Sequence, residues 1–565
     1  MDLINLNSCG PCWYMSSEQQ DDNKILQNTC SNPNKNKEAY CLPSSASSTS
    51  LSSRSSSREC TNQLCSSAKK KSSSTLSLDT TNHDEDLNLS LNEAERSLEA
   101  CHAQWVQLLT KHPNLSLAVL GGGIYGCHFA NVFKMACEKV SSLKNETISA
   151  KIVIYEKDDA LFSQASGKNS FRIHKGFHYP RSGDTRRMCY HDHNKFKSLY
   201  PQFFQTLDDE DMTPTFSKVF AVAKDDKTKV DYDAMRNLLM GAKYQQGKSM
   251  WDEIDGELWS REIRSSDDVD FKHKQMEDLG FNPTMIDGAF LIQVEPILYA
   301  DKPRKWFTEH FTTSPFVELK MGTRVDRGDV VVVKDSNLLL VHELNFDMVL
   351  NCTYNQAIPM QLKDHKTFYD LCISVIVAEK EPSSTTGSRH NHVPAISFGI
   401  FDGPFPSLEP YDFSEDENLP HDLKKYKGQN LFQIFDVELS SVACTSDPDA
   451  AYELMKNWEE KKIANSKDYE EVIQGIWDKC EKYYPRLGRD FELAGTWFAL
   501  KTKVKDENAS RPLIVLQDES VDSHGRFIQV FSSKLTSIFE AEEGVLNLLS
   551  NSDTSKMDLT TWGWW

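Results

Sequence analysis

"LSLAVLGGGIYGCHFANVFKMACEKV", Leu115 to Val140, is the stretch whose reading decides the fold. Its first six residues are an apolar run of strand length. Gly121 to Gly123 then form a tight turn. From Ile124 to Val140 the apolar residues recur at helical spacing, with Phe129, Val132, Phe133 and Ala136 on one face. A polar loop, "SSLKNETISA", leads to a second apolar strand, "KIVIYE". Two parallel strands need a crossover, and the helix supplies a right-handed one. The stretch therefore predicts a β-α-β unit.

Within it, Gly121, Gly123 and Gly126 give G-x-G-x-x-G directly after a strand and at the opening of a helix. The first glycine permits the turn, the second lets a pyrophosphate approach the backbone, and the third lets helix and strand pack closely. The phosphates of a dinucleotide then sit over the positive end of the helix, near Ile124 and Tyr125. Glu156 closes the second strand, where an acid binds a ribose hydroxyl. It stands further on than the usual ~20 residues, and the polar loop accounts for the excess. A carboxylate there disfavours a 2′-phosphate, so NADP is not expected. A bare strand-end charge is the other reading of Glu156, and the motif alone does not decide between NAD and FAD.

The chain has 565 residues, enough for two or more domains. Its net charge of −20 argues against general nucleic-acid binding, which needs a basic face. The fourteen cysteines are scattered without a paired zinc pattern, and no metal site is expected. "CGPC", Cys9 to Cys12, sits in a polar tail rather than between a strand and a helix, so its redox role stays open. This usage suits a reducing, cytoplasmic setting. No secretory h-region and no membrane span are expected, because no apolar run approaches ~18–20 residues. Residues 1–90 are Ser-rich and read as a disordered tail, suited to phosphorylation or to binding protein partners. An amphipathic helix over 91–112 presents Leu98, Cys101, Trp105 and Leu108.

Further along, "GKNSFRIHKGFHYPRS", residues 167–182, gathers bases, histidines and aromatics. This segment resembles one found in FAD-dependent oxidoreductases of the D-amino-acid oxidase superfamily, near the branch with L-2-hydroxyglutarate and glycerol-3-phosphate oxidoreductases. The matching residues are Gly167, Asn169, Ser170, Ile173, His174, Gly176, Phe177 and Tyr179. "FDMVLNCTYNQA" resembles the strand that returns to the FAD domain and ends at Thr353. "VELKMGTRV" resembles the strand whose end, near Val325, contacts adenine. "SSKLTSIFEAEE" resembles the last return, where Lys534, Leu535 and Thr536 match and Ser533 replaces a usual glycine. The resemblance covers about 115–550 and implies FAD, held also by Lys168, Asn169, Ser170 and Gly176.

The implied fold class is α/β, a Rossmann-type FAD-binding domain interleaved with a mixed or antiparallel substrate domain. The expected FAD-binding pieces are 115–210, 301–360 and 491–550. The substrate pieces are 211–300 and 361–490, and 551–565 is a C-terminal tail.

Such an enzyme removes a hydride from a CH–OH or CH–NH group of a small polar, anionic substrate, and oxygen or another acceptor reoxidises the flavin. A histidine suits removal of the heteroatom proton, so His174 and His178 are the catalytic candidates. Arg172 is the candidate anion fork. Residues 172–178, if extended, place Arg172, His174, Gly176 and His178 on one face. A packed, hydrogen-bonded His174 is the alternative. "FGIFDGPFPSLEPYD", 398–412, reads as a hairpin turn or as part of a substrate entrance. A flavin-binding scaffold without turnover and an NAD-binding protein are the competing functions.

Overall fold

The structure is a computed structural model. It describes residues 91–168, 172–177, 179–181, 183–204, 218–236, 260–262, 269–292, 295, 298, 301–332, 338–340, 343–360, 366–380, 396–411, 423–426, 429–505, 513–522, 525–532 and 534–550. The Ser-rich tail, the "CGPC" motif and the C-terminal tail lie outside the described residues. So do Asn169, Ser170, His178 and Ser533.

Strand β1 (Ser116–Leu120), helix α2 (Ile124–Lys144) and strand β2 (Lys151–Tyr155) form the expected unit. β1 and β2 run parallel, from Ser116 opposite Lys151 to Leu120 opposite Tyr155. Phe129, Val132, Phe133 and Ala136 are buried, as their spacing requires. Asn145 ends the helix in the left-handed conformation, where its short polar side chain is tolerated. The preceding helix α1 (Leu91–Lys111) buries Cys101, Trp105 and Leu109 against the same core.

Distant segments complete this sheet. β6 (Val317–Lys320) pairs parallel with β2, and β10 (Met348–Asn351) pairs parallel with β1 on its other edge. β18 (Phe527–Ser532) follows β10 in parallel, and β17 (Leu513–Gln517) closes the edge antiparallel to β18. The six-stranded order is β17-β18-β10-β1-β2-β6. The chain leaves β1 for β2 on one side and supplies β10 on the other. That makes the carboxyl end of β1 a switch point, where open α/β sheets bind ligands.

The second sheet has nine strands. It is built on β11 (Lys366–Glu379), β14 (Leu431–Asp436), β13 (Pro406–Pro410), β12 (Ser397–Ile400), β3 (Lys218–Ala223), β5 (Ile286–Ile292) and β4 (Ser260–Glu262). β15 (Ser441–Thr445) pairs with the first half of β11. The pairing is antiparallel except for β12 with β3, which makes the sheet mixed. β12 and β13 form the hairpin expected at 398–412, with Phe398 opposite Leu408.

β16 (Phe491–Lys505) corrects one expected boundary. The sequence reading grouped 491–550 with the FAD-binding pieces. β16 instead runs antiparallel to β11 along its whole length, from Lys366 opposite Lys505 to Glu379 opposite Phe491. Its apolar alternation is complemented by β11, so only 513–550 of that segment serves the first sheet.

Two helices, α6 (Pro448–Ile463) and α7 (Lys467–Tyr483), cover the mixed sheet. Asp447 caps α6 by accepting from the Asp449 and Ala450 amides, with Pro448 in the first helical turn. Helices α3 (Gly183–Leu199) and α9 (Ile538–Ser550) belong with the first sheet, as do α1 and α2. The shorter helices α4 (Val269–Asp278), α5 (Asp301–Thr312) and α8 (Arg486–Asp490) join these elements. Among the described residues no helix is long and apolar enough to cross a membrane.

Candidate active site

The glycine turn leaves no room for side chains. Gly121 has φ +101°, and a Cβ there would lie 2.8 Å from the carbonyl oxygen of Cys352. A Cβ at Gly126 would lie 2.0 Å from the carbonyl oxygen of Gly121, which fixes the close approach of α2 to the turn. Gly123 is the N-cap of α2 and supplies no side-chain cap. The Ile124 amide donates to Ser166 Oγ at 3.0 Å. A helix N-terminus behind a glycine turn is suited to a pyrophosphate.

Glu156 stands at the end of β2 and is buried. Its Oε2 accepts from the Gly122 amide at 2.6 Å, and its Oε1 accepts from the Asp158 amide at 2.9 Å. Burial pushes its carboxyl above the usual range, against the pull of those two amides. The acid thus stands against the turn itself. Val325 is buried beside Leu120, Tyr155 and Phe346 in the cluster under the same edge. At the end of β10, Thr353 donates from Oγ1 to Asn351 Oδ1 at 2.7 Å, which fixes the neighbouring loop.

The second wall begins at Gly167, where a Cβ would lie 1.8 Å from the Phe162 carbonyl oxygen. Lys168 reaches across to the mixed sheet and donates to the Phe498 carbonyl at 3.2 Å, and burial lowers its pKa. Ile173 is buried, and His193 of α3 donates to its carbonyl at 3.1 Å. Burial holds the His193 imidazole far below its ordinary range, so it is neutral.

His174 Nδ1 lies 3.0 Å from Glu295 Oε2, and Glu295 Oε1 accepts from the Lys175 amide at 2.9 Å. Glu295 is 3 % exposed. A carboxylate only accepts, so the proton of a neutral His174 stands on Nδ1 and the lone pair on Nε2.

Arg172 has a different environment from the one its sequence position implies. Its Nε donates to Glu409 Oε2 at 2.9 Å, and its Nη1 donates to the Glu295 carbonyl at 2.6 Å. Glu409 also takes Lys218 and the Ser397 hydroxyl. Burial pushes the Glu409 carboxyl up, but Lys218 and Arg172 more than offset it and hold it below the usual range. Arg172 is therefore engaged in tying the 172–177 segment to β3 and β13. Its guanidinium is committed to an acid because burying it without one is costly.

The segment does not stay extended to residue 178. Gly176 has φ +104° and turns the chain, so the four-residue face expected for 172–178 ends at residue 175. His178, the fourth residue of that face, lies outside the described residues. The side chains of Asp184, Arg186 and Arg187 also lie outside them.

The last return brings Lys534, Leu535 and Thr536 to the start of α9. Tyr125 of α2 donates from its hydroxyl to the Lys534 carbonyl at 2.7 Å, linking this loop to the glycine turn. Lys534 Nζ donates to Cys189 Sγ at 2.8 Å and lies 4.0 Å from the centre of the Tyr179 ring. Leu535 packs on the core and Thr536 is buried.

Several side chains here escaped the sequence reading. Glu295, Glu409 and Lys218 carried no local signal beyond a single charge in an apolar strand region. Asp192 is fully buried on α3, and neither carboxylate oxygen has a hydrogen-bond partner among the described residues. Burial pushes Asp192 up to about 8 and Glu540 of α9 also up to about 8. The run "CYHDHNKF" was the available signal, since a polar run on a helix between apolar elements marks a buried polar layer.

The glycine cradle, the helix N-terminus and Glu156 together fit the pyrophosphate and ribose of a dinucleotide. No family model matches the chain. An FAD-dependent monooxygenase of Aspergillus flavus is 22 % identical over 449 residues, spanning 77 % of this chain and 86 % of that protein. An FAD-dependent monooxygenase of Fusarium mangiferae is 23 % identical over 77 % of this chain and 91 % of its own length. Among solved structures, glycine oxidase from Geobacillus kaustophilus matches at 11 % identity and a TM-score of 0.47, over 78 % of this chain and 96 % of that one. A modified fructosyl peptide oxidase from Aspergillus nidulans matches at 12 % identity and a TM-score of 0.47, over 78 % and 90 %.

Proposed function

We propose that this chain is an FAD-dependent oxidoreductase of the D-amino-acid oxidase superfamily and that it removes a hydride from a CH–OH or CH–NH group of a small polar substrate. The observation that carries the proposal is the His174–Glu295 pair at 3.0 Å, on the segment that faces the mixed sheet. Gly121, Gly123, Gly126, Ile124 and Tyr125 would hold the FAD pyrophosphate, and Glu156 the ribose. Val325 and Thr353 would frame the nucleotide end. Lys168, Gly176, Lys534, Leu535 and Thr536 would frame the ring, with Asn169 and Ser170. FAD supplies the hydride acceptor when bound.

The remaining work falls to this chain's own groups. His174 Nε2 takes the proton from the substrate hydroxyl or amine. Glu295 holds the imidazole in that tautomer and stabilises the cation that forms, the role an orienting carboxylate plays beside a histidine base. Arg172 acts as a positioning residue through the Glu295 carbonyl. Lys534, beside Tyr179, is the cation placed to face negative charge on substrate or ring. An anionic substrate is part of the proposal, and Lys534 rather than Arg172 supports it. His178 remains a second candidate base.

The FAD-binding half comprises 115–210, 301–360 and 513–550, and the substrate half comprises 211–300 and 361–505. A cytoplasmic location is part of the proposal.

The test is direct. Purified protein should be yellow, with a flavin band near ~450 nm that bleaches anaerobically with a substrate from a panel of hydroxy and amino acids. His174→Gln should keep the band and lose turnover. Full turnover in that variant overturns the base assignment. A colourless protein that binds NADH instead overturns the cofactor.

A further inference from the structure

Tyr452 projects from α6, a helix of the mixed-sheet half. Its neighbours Ala451 and Trp458 are buried in the core of that sheet, and Trp458 meets Phe498 of β16. The Tyr452 side chain also packs against that core, and its ring in addition reaches loops of the other sheet. Lys157 Nζ is 5.5 Å from the ring centre and the Arg324 guanidinium carbon is 5.3 Å from it. The Tyr452 hydroxyl donates to Gln356 Oε1 at 2.8 Å.

These three partners have one thing in common. Lys157 directly follows Glu156 at the end of β2. Arg324 directly precedes Val325 after β6. Gln356 lies in the loop after β10. All three loops leave the carboxyl ends of parallel strands, the side of an open α/β sheet on which ligands lie. Burial pushes the Tyr452 phenol up to about 12, and Asp158 and Glu156 are among the charges it feels. The ring is thus within electrostatic reach of the acid assigned to the ribose. Two cations close to the ring, with the hydroxyl anchored, hold it at one place.

We propose that Tyr452 is a clasp over the adenosine end of the FAD site, by which the mixed-sheet half controls how fast the cofactor leaves. The proposal rests on the reading of the cradle as an FAD site. In it, α6 closes the nucleotide end from outside the first sheet, and the Lys157 and Arg324 contacts are made only when the two halves are docked. The clasp is a positioning device and takes no part in the chemistry.

The test compares FAD release from holoprotein of wild type, Tyr452→Ala, Tyr452→Phe and Ile463→Ala. Release is followed by recovery of free-flavin fluorescence after dilution. Ile463 is on the same helix and 84 % exposed, so its variant should match wild type. Tyr452→Ala loses the ring and both cation contacts and should release FAD about tenfold faster. Tyr452→Phe keeps the ring and should change release by less. The Tyr452→Ala substitution should lower the melting temperature of the holoprotein more than that of the FAD-free protein, whereas a purely packing role would lower both equally. A Tyr452→Ala holoprotein that releases FAD at the wild-type rate, or an FAD-free form destabilised as much as the holoprotein, overturns the clasp alone. A wild-type chain that binds no FAD overturns the functional reading and the clasp with it.

Discussion

Substituting Gly126 by Ala tests the cradle most sharply. The added methyl would stand 2.0 Å from the Gly121 carbonyl oxygen and 3.0 Å from Val119 Cγ1. The nearer atom is backbone, so no side chain can rotate aside. Restoring even 3.0 Å means separating the start of α2 from the glycine turn by about 1 Å in a close-packed interior. Overpacking of this kind costs about 1–3 kcal/mol. The same shift carries the N-terminus of α2 away from a bound phosphate, taking a hydrogen bond of about 2.9 Å out to nearly 4 Å, beyond bonding range. Losing one charge-assisted bond of about 1.5–3 kcal/mol lowers FAD affinity by at least tenfold. The assay is urea unfolding of the FAD-free protein together with FAD titration of the refolded chain. Gly328→Ala is the control, because a Cβ there meets nothing within 4 Å. A Gly126→Ala protein with wild-type unfolding and wild-type FAD affinity would refute the close approach of helix and turn on which the cofactor assignment stands.

Two further outcomes follow from the buried acids. Glu295→Gln keeps the shape but replaces the acceptor facing His174 Nδ1, so turnover should fall about 10²-fold or more, the range of a general base, while FAD binding persists; unchanged turnover refutes the orienting role. Asp192 is raised to about 8 in the folded protein by burial, against the charges of Lys195 and Lys534 and with Glu543 adding to the rise. The folded chain therefore keeps a proton that the unfolded chain has released above about pH 4, and stability must fall as pH rises from there to about 8. Asp192→Asn should flatten this slope by about 1.4 kcal/mol per pH unit between about pH 5 and 7, read by urea unfolding; Glu540, also raised to about 8, leaves a residual slope. Parallel slopes in wild type and variant refute the assignment.

The first β-α-β unit was legible because everything that specifies it is local. The apolar run, the three glycines and the helical spacing lie within one short stretch, and the parallel pairing follows from the crossover. Glu156 was legible for the same reason, since its place is fixed by the end of β2. The rest of the site is made of pairs separated widely in the chain. His174 and Glu295 are 121 residues apart, and Arg172 and Glu409 are 237 apart. A lone acid in an apolar strand does not announce its partner. The alternation in 491–505 was visible as a strand, but not that β11 would take it along its whole length. Tyr452 was invisible because its side chain packs on one sheet and also reaches loops of the other, which no local pattern announces.

This separation changes what the cationic run after residue 167 means. Counted along the chain, Lys168, Arg172, Lys175, Arg181, Arg186 and Arg187 face one acid, Asp184, and the run reads as a site for an anion. In the fold, Arg172 and Lys218 share Glu409, and Arg181 meets Asp402 at 2.7 Å. Lys168 is spent on a backbone carbonyl. The acids that balance these bases come from β13 and from the turn after β12, both brought by the mixed sheet. A field computed from neighbours in sequence therefore overstates the positive charge offered to a substrate. The cations hold the segment between the two sheets, where it presents His174 with Glu295 behind it. Lys534, supplied by the opposite end of the chain, stands beside an aromatic ring and a thiol, with its charge also felt by the buried Asp192. Substrate charge is accordingly read at Lys534: Lys534→Met should weaken an acidic substrate more than its neutral amide, and equal losses for both would remove the anionic part of the proposal.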